Sequence, residues 1–291
     1  MPHSQVGGRV SKDLIIGAAD NYGWDHVKTW ATSIKKTGFS GDVVLIAYRV
    51  TDELVERCQS LGIYVIRVDH DDRGLSINHT LGNIETQAHK LRNFHIWQFL
   101  SDNEPYRTVA ITDTRDIYFQ TNPTVFFDAH QEYDIYFPSE AIRIRDEQWN
   151  LNMLSNLFGP FVTEQIQNNV VCNSGTIFGK VTAIKELMLN MYLIAKNFPA
   201  TGADQPTMNV LNWLCGVKNS TVLNMDAGWA CQCATTMEPT RRHLRDDLLE
   251  PIPRITQIDN KPCVINSNNE PFVLVHQYDR VPELSHLTKD L

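Results

Sequence analysis

Two carboxylates, Asp113 and Asp116, directly follow an apolar stretch and are well placed by type and spacing to hold a metal ion. The stretch 109–111 reads Val-Ala-Ile, as in a strand covered on both faces. Ligands of open α/β sheets bind beyond the carboxyl ends of the strands, so we expect both acids to face a crevice. A hard divalent cation relieves the repulsion between two such acids and usually shares its coordination shell with substrate phosphates. The pattern therefore predicts a metal site and a phosphorylated ligand.

A second interpretation of the same residues needs no metal. Asp113 would cap a turn, and Asp116 would pair with Arg115 or Arg107. For an isolated Asp-x-x-Asp this is the commoner arrangement. The strand before the pair and the Phe-Gln-Thr-Asn-Pro exit at 119–123 favour the metal site here.

Composition limits the class of protein. The chain has 291 residues, 42% hydrophobic and 21% charged, which is enough for one large α/β core. A net charge of −8 argues against a nucleic-acid partner held through its phosphates. The six cysteines lack Cys-x-x-Cys spacing, so neither a zinc site nor a dense disulfide framework is indicated.

The same survey bears on localisation. No apolar run approaches the roughly 20 residues that span a bilayer. The segment 1–12 is polar and contains glycine, unlike a signal peptide. We therefore expect a soluble, cytoplasmic protein with no membrane span.

The elements that would position the acids alternate in the first part of the chain. Strands are predicted at 13–19, 42–48, 63–68 and 106–112, and helices at 25–36, 51–61 and 89–100. Thr51 is the predicted cap of the second helix. This order is typical of a parallel sheet with right-handed crossovers, and it gathers the strand ends at one crevice.

The second part of the chain is predicted to be less regular. Segment 139–159 is polar and aromatic, and a buried strand at 170–179 is broken by Asn-Ser-Gly at 173–175. A helix follows at 182–197, and another opens near Ala203 and runs to Cys215. Asp204 or Gln205 would be its N-cap before Pro206. A last strand at 272–275 leads into His276, and because neither repeat nor linker divides the chain, we predict a single domain, 1–291.

Taken in order, these features resemble the nucleotide-sugar-dependent glycosyltransferases of the GT-A fold. The shared set comprises the β-α-β start, the Asp113-x-x-Asp116 pair, the Asn-Ser-Gly strand, the Asp204-Gln205 helix start and the late strand ending in His276. One extra residue separates the acids compared with the family's Asp-x-Asp. The resemblance covers nearly the whole chain and implies a Rossmann-type α/β fold with a mixed, mainly parallel sheet flanked by helices. Residues 13–123 would form a nucleotide-binding half and 124–291 an irregular, acceptor-binding half.

The resemblance also implies a metal centre. Asp116 would coordinate Mn²⁺ or Mg²⁺, and Asp113 would contact the ribose or join the metal site. His276 would complete that site, because imidazole nitrogen is acceptable to Mn²⁺. The alternative for His276 is a histidine that only hydrogen-bonds within the core.

Donor contacts follow from the positions that the family uses. The residues implied are Ala18, Ala19, Tyr22, Arg92, Asp113, Asn173 and Arg280. Tyr22 would stack on uracil, or it would pack against Trp24. Arg92 would meet the nucleotide or the acidic motif, or it would be a solvated charge on a helix face. Arg280 would reach the diphosphate.

Asp204 is the predicted catalytic residue. In an inverting enzyme it would take the proton from the acceptor hydroxyl, although a carboxylate at a helix N-terminus is also suited to capping. Retaining relatives, including glycogenin-like enzymes, also carry Asp-Gln at this place, so both stereochemical outcomes stay open. The other acids considered are Asp20, Glu140 and Asp226, and Trp149 and Trp229 would stack on acceptor sugars or lie in the core.

The sequence thus predicts a metal-dependent glycosyltransferase that moves xylose, galactose or glucose from a UDP-sugar to a glycan hydroxyl. Among known enzymes it resembles small soluble transferases of plants or large algal viruses. A sugar-phosphate nucleotidyltransferase is the first alternative, but its triphosphate needs a basic loop, and 17–23 contains no Lys or Arg. A non-catalytic sugar-binding module, which would bind no divalent ion, is the second.

Overall fold

The structure, a computed structural model, describes residues 12–68, 88–103, 106–199, 201–258 and 261–287. Residues 1–11 of the polar N-terminal segment considered above lie outside the described residues. Within the described ranges, no helix combines the length and apolar character needed to cross a bilayer.

Strands and helices alternate at the start of the chain because apolar runs that fill a sheet are separated by amphipathic stretches. The strands are β1 (Lys12–Asp20), β2 (Asp42–Tyr48), β3 (Tyr64–Arg67) and β4 (Tyr106–Thr112), and the helices are α1 (Trp24–Lys36), α2 (Asp52–Ser60) and α3 (Ala88–Asp102). All seven predicted elements are confirmed, with small shifts at their ends. The predicted cap is also confirmed, since Thr51 Oγ1 accepts a hydrogen bond from Leu54 N at 3.3 Å.

The remaining elements are shorter and come from the second part of the chain. The strands are β5 (Ile117–Phe119), β6 (Ile135–Arg143), β7 (Val170–Cys172), β8 (Thr176–Lys180), β9 (Ser220–Leu223), β10 (Ala230–Gln232), β11 (Arg254–Ile258), β12 (Lys261–Ile265) and β13 (Leu274–His276). The helices are α4 (Pro123–Ala129), α5 (Gln148–Ile166), α6 (Val181–Ala195), α7 (Asp204–Val210), α8 (Cys233–Thr236) and α9 (Pro282–Leu287).

Among the described residues, eight strands form a central mixed sheet in the order β3-β2-β1-β4-β8-β6-β7, and β9 pairs with β6 off this path. Strands β1 to β4 run parallel, and β8 pairs antiparallel with β4 and β6. A smaller sheet, β10-β13-β5, lies beyond the end of β4. The predicted α/β class, with a mainly parallel sheet flanked by helices, is confirmed, and strands from both predicted halves pair in one sheet.

The core lies on both faces of the central sheet, and β1 shows why. Ile15 and Ala19 point to the side covered by α1, where they join Trp30. Leu14 and Ile16 point to the opposite side, which α3 and α6 cover. Successive side chains of a strand face opposite ways, so a strand buried on both sides must be apolar throughout.

Segment 139–159, predicted to be irregular, is largely regular. Strand β6 continues to Arg143, and α5 then begins after Glu147, whose side chain accepts the hydrogen bond of Asn150 N. Gly159, whose φ of 79° is non-helical, and Pro160 divide α5 into two helical pieces that meet at a kink. These two residues signal a break in the sequence, and packing of Leu154 and Ile166 in one cluster keeps the two pieces together.

The predicted break at Asn-Ser-Gly is confirmed, because 170–179 forms two strands, β7 and β8, on either side of this turn. Both strands pair with β6, and β8 also pairs with β4. One prediction on the second part needs correction. The N-cap of α7 is Ala203, and Asp204 is the first helical residue instead of the cap. The helix ends at Val210, where a π-helical turn over Leu211–Cys215 takes over.

Candidate active site

A cavity of about 820 Å³ lies at the carboxyl ends of β1, β2 and β4. The predicted site residues that line it are Ala18, Tyr22, Arg92, Asp113, Asp116, Asn173, Asp204, His276 and Arg280. Ala19 differs, because its side chain points to the opposite face of β1 and packs in the core. The Ala19 side chain therefore does not line the cavity, and a contact of this residue with a donor stays a prediction.

The loop after β4 presents the two acids to the cavity. Asp113 N donates to Gly175 O at 2.8 Å, and Thr114 Oγ1 donates to Ala18 O at 2.9 Å. These bonds tie the loop to β1 and to the Asn-Ser-Gly turn. The close approach needs glycine, because a Cβ at Gly175 would lie 2.4 Å from Asp113 Oδ2.

His276 reaches the acids from the smaller sheet. It ends β13, opposite Ile117 of β5, and Gln277 N donates to Asp116 O at 2.6 Å. The Nε2 atom of His276 lies 3.4 Å from Asp113 Oδ2 and 3.8 Å from Asp116 Oδ1. One ligand atom from each of the three residues falls within 4.8 Å of the others.

This set of three side chains fits a divalent cation. Within the described part of the chain, His276 Nε2 is buried without a hydrogen-bond partner, although the residue is only 2% exposed. A buried polar atom normally has a partner, and this one points at two carboxylates. Two carboxylate oxygens and an imidazole nitrogen are acceptable ligands for Mn²⁺ or Mg²⁺.

The pKa values of Asp113, Asp116 and His276 are shifted by burial and by the charges of their neighbours. Burial raises the pKa of Asp113, but the neighbouring Arg92 and His276 outweigh it and hold that pKa well below its ordinary value. Burial raises the pKa of Asp116, only partly offset by His276. Burial lowers the pKa of His276, yet Asp113 and Asp116 reverse this and leave it raised above 6.5. The two acids and the imidazole thus oppose the effect of burial on one another.

Arg92 joins the acidic loop to the start of α7. Its guanidinium donates to Asp113 Oδ1 at 2.6 Å and to Asp204 Oδ2 at 2.5 Å. The Arg92 and Asp204 side chains are both buried. Burial opposes the charge of Arg92, but the two carboxylates raise its pKa, so it stays a cation. The alternative of a solvated charge on a helix face is therefore wrong.

Buried amides and an acid form the floor of the cavity next to Asp204. Glu140 Oε1 accepts from Asn173 Nδ2 at 2.8 Å and from Gln205 Nε2 at 3.1 Å, and Glu140 Oε2 accepts from Thr235 at 3.2 Å. Gln205 Oε1 in turn accepts from Ser174 N at 3.2 Å. Burial raises the pKa of Glu140 above its ordinary value.

The side of the cavity beyond Glu140 is built by α5 and the segment after α8. Glu147 holds the start of α5 by accepting from Asn150 N at 2.7 Å, and it also pairs with Arg241. Trp149, the second residue of α5, lines the cavity although it is 46% exposed. It packs over Gly202, where a Cβ would lie 3.3 Å from the indole.

The opposite side of the cavity carries the residues predicted for the nucleotide. Tyr22 stacks on His26, with ring centroids 5.1 Å apart, and it also packs against the core cluster that contains Trp24. Arg115 and Arg280 are about half exposed there, and each lies near Asp279. Burial raises the pKa of Tyr22, so its hydroxyl stays protonated.

Backbone strain is concentrated around the cavity. Among the described residues, six non-glycine residues have positive φ, and four of these directly follow a residue that lines the cavity. They are Asn21 after Asp20, Arg49 after Tyr48, Ala141 after Glu140 and Gln277 after His276. Strained backbone of this kind persists where surrounding structure imposes it, which occurs often at functional sites.

Other residues considered from the sequence lie elsewhere. Trp229 is 1% exposed in the core, where its indole N–H donates to Thr176 O at 2.7 Å. Asp226 accepts from Ser267 N at 3.1 Å and belongs to a surface turn outside the cavity wall. Asp20 does line the cavity, but Arg49 binds it bidentately, at 2.8 Å and 2.5 Å.

Sequence reasoning missed several polar residues of the site. Gln205, Glu147 and Arg241 line the cavity, and Gln232 Oε1 lies 2.8 Å from His276 Nδ1. The Gln205 position follows from the Asp-Gln helix start. Nothing in the local pattern singles out Gln232, which stands between two buried cysteines on a three-residue strand.

The fold has a known counterpart. A crystal structure of the galactosyltransferase LgtC, in complex with donor and acceptor sugar analogues, is similar with a TM-score of 0.55 at 12% identity, covering 96% of this chain and 96% of that chain. The sequence matches no protein-family model and no curated protein. At this identity the likeness concerns the fold, which is the GT-A fold of glycosyltransferases.

Proposed function

We propose that this protein is a metal-dependent glycosyltransferase that moves a sugar from a UDP-sugar to a hydroxyl of a glycan. The observation that carries the proposal is the Asp113, Asp116 and His276 set, which faces a large cavity at the strand ends of a GT-A fold. Ligands of open α/β sheets bind at such strand ends.

Asp113, Asp116 and His276 would hold Mn²⁺ or Mg²⁺. When bound, the cation would supply positive charge to the diphosphate that leaves with the nucleotide. The residues around the set favour this use, because Arg92 already neutralises one acid from the side opposite His276. Arg92 and one divalent cation together would therefore leave no large excess of negative charge at the set.

The donor would bind with its nucleotide between β1 and the 3-10 turn after β13. Tyr22 offers a ring to the base next to the small side chain of Ala18. Arg280 and Arg115 are exposed enough to turn toward a diphosphate. Asn173 faces the space between the acids and Glu140, where the sugar would lie.

Asp204 is the proposed catalytic residue. Its carboxylate lines the cavity beside the Arg92 guanidinium, where it would accept a proton from the acceptor in an inverting enzyme or balance positive charge on the sugar in a retaining one. Glu140 is the second acid within the cavity, but three donors already occupy its oxygens. Asp204 is thus the better placed of the two.

The acceptor would enter over α5. Trp149 presents a partly exposed indole to the cavity, which suits the apolar face of a sugar ring.

We expect Trp149→Ala to raise the acceptor KM about fivefold and leave UDP affinity unchanged. Phe161→Ala is the control, because Phe161 is exposed on the same helix but away from the cavity wall. Equal effects of the two substitutions would contradict an acceptor role for Trp149.

The sugar is proposed from family analogy alone. UDP-xylose, UDP-galactose and UDP-glucose are the first donors to test, as for the plant and algal-virus transferases that the sequence resembles. An acidic chain with Glu140, Glu147 and Glu238 on the acceptor side favours an uncharged glycan over a phosphorylated one.

Calorimetric titration of the purified protein with UDP, GDP and these UDP-sugars, with and without Mn²⁺, tests the proposal. We expect UDP to bind only when Mn²⁺ is present, and more tightly than GDP. Binding of UTP together with a sugar 1-phosphate would support a nucleotidyltransferase instead. Sugar binding without metal or nucleotide would support a sugar-binding module, and no binding of any of these would refute the proposal.

A further inference from the structure

Gln232 is a buried amide between His276 and the central sheet. It is 0% exposed and stands opposite His276 in the register of β10 and β13. Its Oε1 lies 2.8 Å from His276 Nδ1, and its Nε2 lies 3.0 Å from Thr176 Oγ1. Both ends of the amide therefore have a partner.

The hydrogen bonds continue from Thr176 to the floor of the cavity. Thr176 Oγ1 is 3.1 Å from Asn173 Oδ1, and Asn173 Nδ2 is 2.8 Å from Glu140 Oε1. Gly175 N also donates to Asn173 Oδ1, at 2.9 Å. The metal ligand His276 and the acid Glu140 are thus joined by an unbroken chain of buried hydrogen bonds.

The direction of this chain is fixed by a backbone N–H. Because Gly175 N can only donate, it identifies the Asn173 atom it meets as Oδ1, and Thr176 must donate its single hydroxyl proton there. Thr176 then receives a hydrogen bond from the Gln232 amide nitrogen. The Gln232 oxygen is left facing His276, so Nδ1 of the imidazole must carry a proton.

We propose that Gln232 is a positioning residue that keeps His276 protonated on Nδ1 and turns the lone pair of Nε2 toward Asp113 and Asp116. This inference rests on the proposed function, since it assigns Nε2 to the metal site. A ligating histidine usually donates its other ring N–H to an acceptor that fixes its tautomer and orientation. Here the acceptor is itself oriented by Thr176, which is held in turn by Asn173, a residue that lines the cavity.

The first test is the imidazole proton itself, in ion-free protein labelled with ¹⁵N-histidine. The wild-type should show a slowly exchanging, low-field Nδ1–H resonance that His276→Gln removes. Gln232→Met, of similar size but without the amide, should lose this resonance. Gln232→Glu should keep it, because a carboxylate also accepts from Nδ1.

The second test is the Mn²⁺ dissociation constant, read from the electron paramagnetic resonance signal of free Mn²⁺. Gln232→Met should weaken binding by about 10–100-fold, whereas Gln232→Glu should keep the wild-type affinity. Thermal unfolding of each variant checks the fold. If Gln232→Met does not fold, Thr176→Val supplies the same comparison, because the Gln232 amide can rotate once the Thr176 hydroxyl is gone. This variant should weaken both the Nδ1–H resonance and Mn²⁺ binding.

The results separate this inference from the proposed function. An unchanged Nδ1–H resonance in Gln232→Met, or wild-type Mn²⁺ affinity in that variant, would overturn the role of Gln232. If the wild-type itself binds no Mn²⁺ but the resonance behaves as expected, the metal-dependent function fails while the positioning of His276 stands.

Discussion

Arg92 links two acids of the cavity, Asp113 and Asp204, and neutralises charge on both. In sequence, Asp113 is 21 residues from Arg92 and Asp204 is 112 residues from it. A separate guanidinium nitrogen of Arg92 contacts each of the two acids. Removal of one partner of a buried ion pair leaves an uncompensated charge. The positions of Asp113 and Asp204 are therefore coupled, and substitution of either is expected to be felt at the other.

Asp204→Asn tests the catalytic role at the residue scale. The amide keeps the size and one acceptor oxygen for Arg92 but cannot take a proton, so we expect kcat to fall by about 10²–10⁴-fold. The affinity for UDP should stay within error of the wild-type, measured by calorimetry beside the turnover assay.

Asp226→Asn is the matched control, because Asp226 is an acid outside the cavity wall. It should leave turnover unchanged. A large loss of UDP affinity in Asp204→Asn, with kcat preserved, would instead assign Asp204 to holding the donor.

At the scale of elements, the turn between β7 and β8 shapes the proposed metal site. Asn173, Ser174 and Gly175 leave the sheet so that Gly175 passes beside Asp113, whose backbone N–H it accepts at 2.8 Å. Any larger residue at this position would place its Cβ 2.4 Å from Asp113 Oδ2, so glycine leaves the space that the Asp113 carboxylate occupies.

Gly175→Ala should therefore displace the Asp113 carboxylate. We expect Mn²⁺ affinity to weaken by about 10–100-fold, as for other residues that orient a metal ligand. Gly23→Ala is the control, since a Cβ there would meet nothing closer than 4.0 Å. Equal Mn²⁺ dissociation constants for Gly175→Ala and wild-type protein would show that Asp113 is not tied to the metal site.

The elements differ in how far the sequence predicts them. Strands β1, β2 and β4 are continuous apolar runs because they are buried on both faces, and their bounds follow from the pattern. In helix α5, Gly159 and Pro160 signal the break that the structure shows, but nothing local indicates that the two pieces stay packed in one cluster. Packing against other elements decides this, and a local pattern does not contain it.

The residues of the site also differ in how far the sequence predicts them. Asp113 and Asp116 follow β4 and His276 ends β13, so the positions of the three residues at strand ends indicate that they meet. Gln232 contacts His276 and Thr176 across 44 and 56 residues of chain, from a strand too short to have a period. Such long-range contacts depend on the order of strands in the two sheets, which the sequence alone does not specify.

At the scale of the whole molecule, His276 links stability to pH in ion-free protein. Its pKa is raised above 6.5 in the folded state, so its contribution is fully present below 6.5 and is lost as the pH rises through the folded pKa. Asp113 acts in the other direction, since its lowered pKa gives a contribution that is lost only in acid. The free energy of unfolding should thus decline from pH 6.5 upward when a chelator is present.

Thermal unfolding across this pH range, with chelator and with Mn²⁺, measures the effect. Mn²⁺ should restore stability at high pH, because neutral imidazole can ligate it and binding favours the folded state. His276→Gln should remove most of the decline. A decline that persists in this variant would assign it to other groups.

The most direct test of the whole account is UDP release from UDP-xylose, UDP-galactose and UDP-glucose, measured with a panel of glycan acceptors in the presence of Mn²⁺. We predict release from at least one donor, its loss on addition of a chelator, and its loss in a folded Asp116→Asn variant. Turnover that survives both the chelator and the Asp116→Asn substitution, or no release from any donor, would contradict a metal-dependent glycosyltransferase.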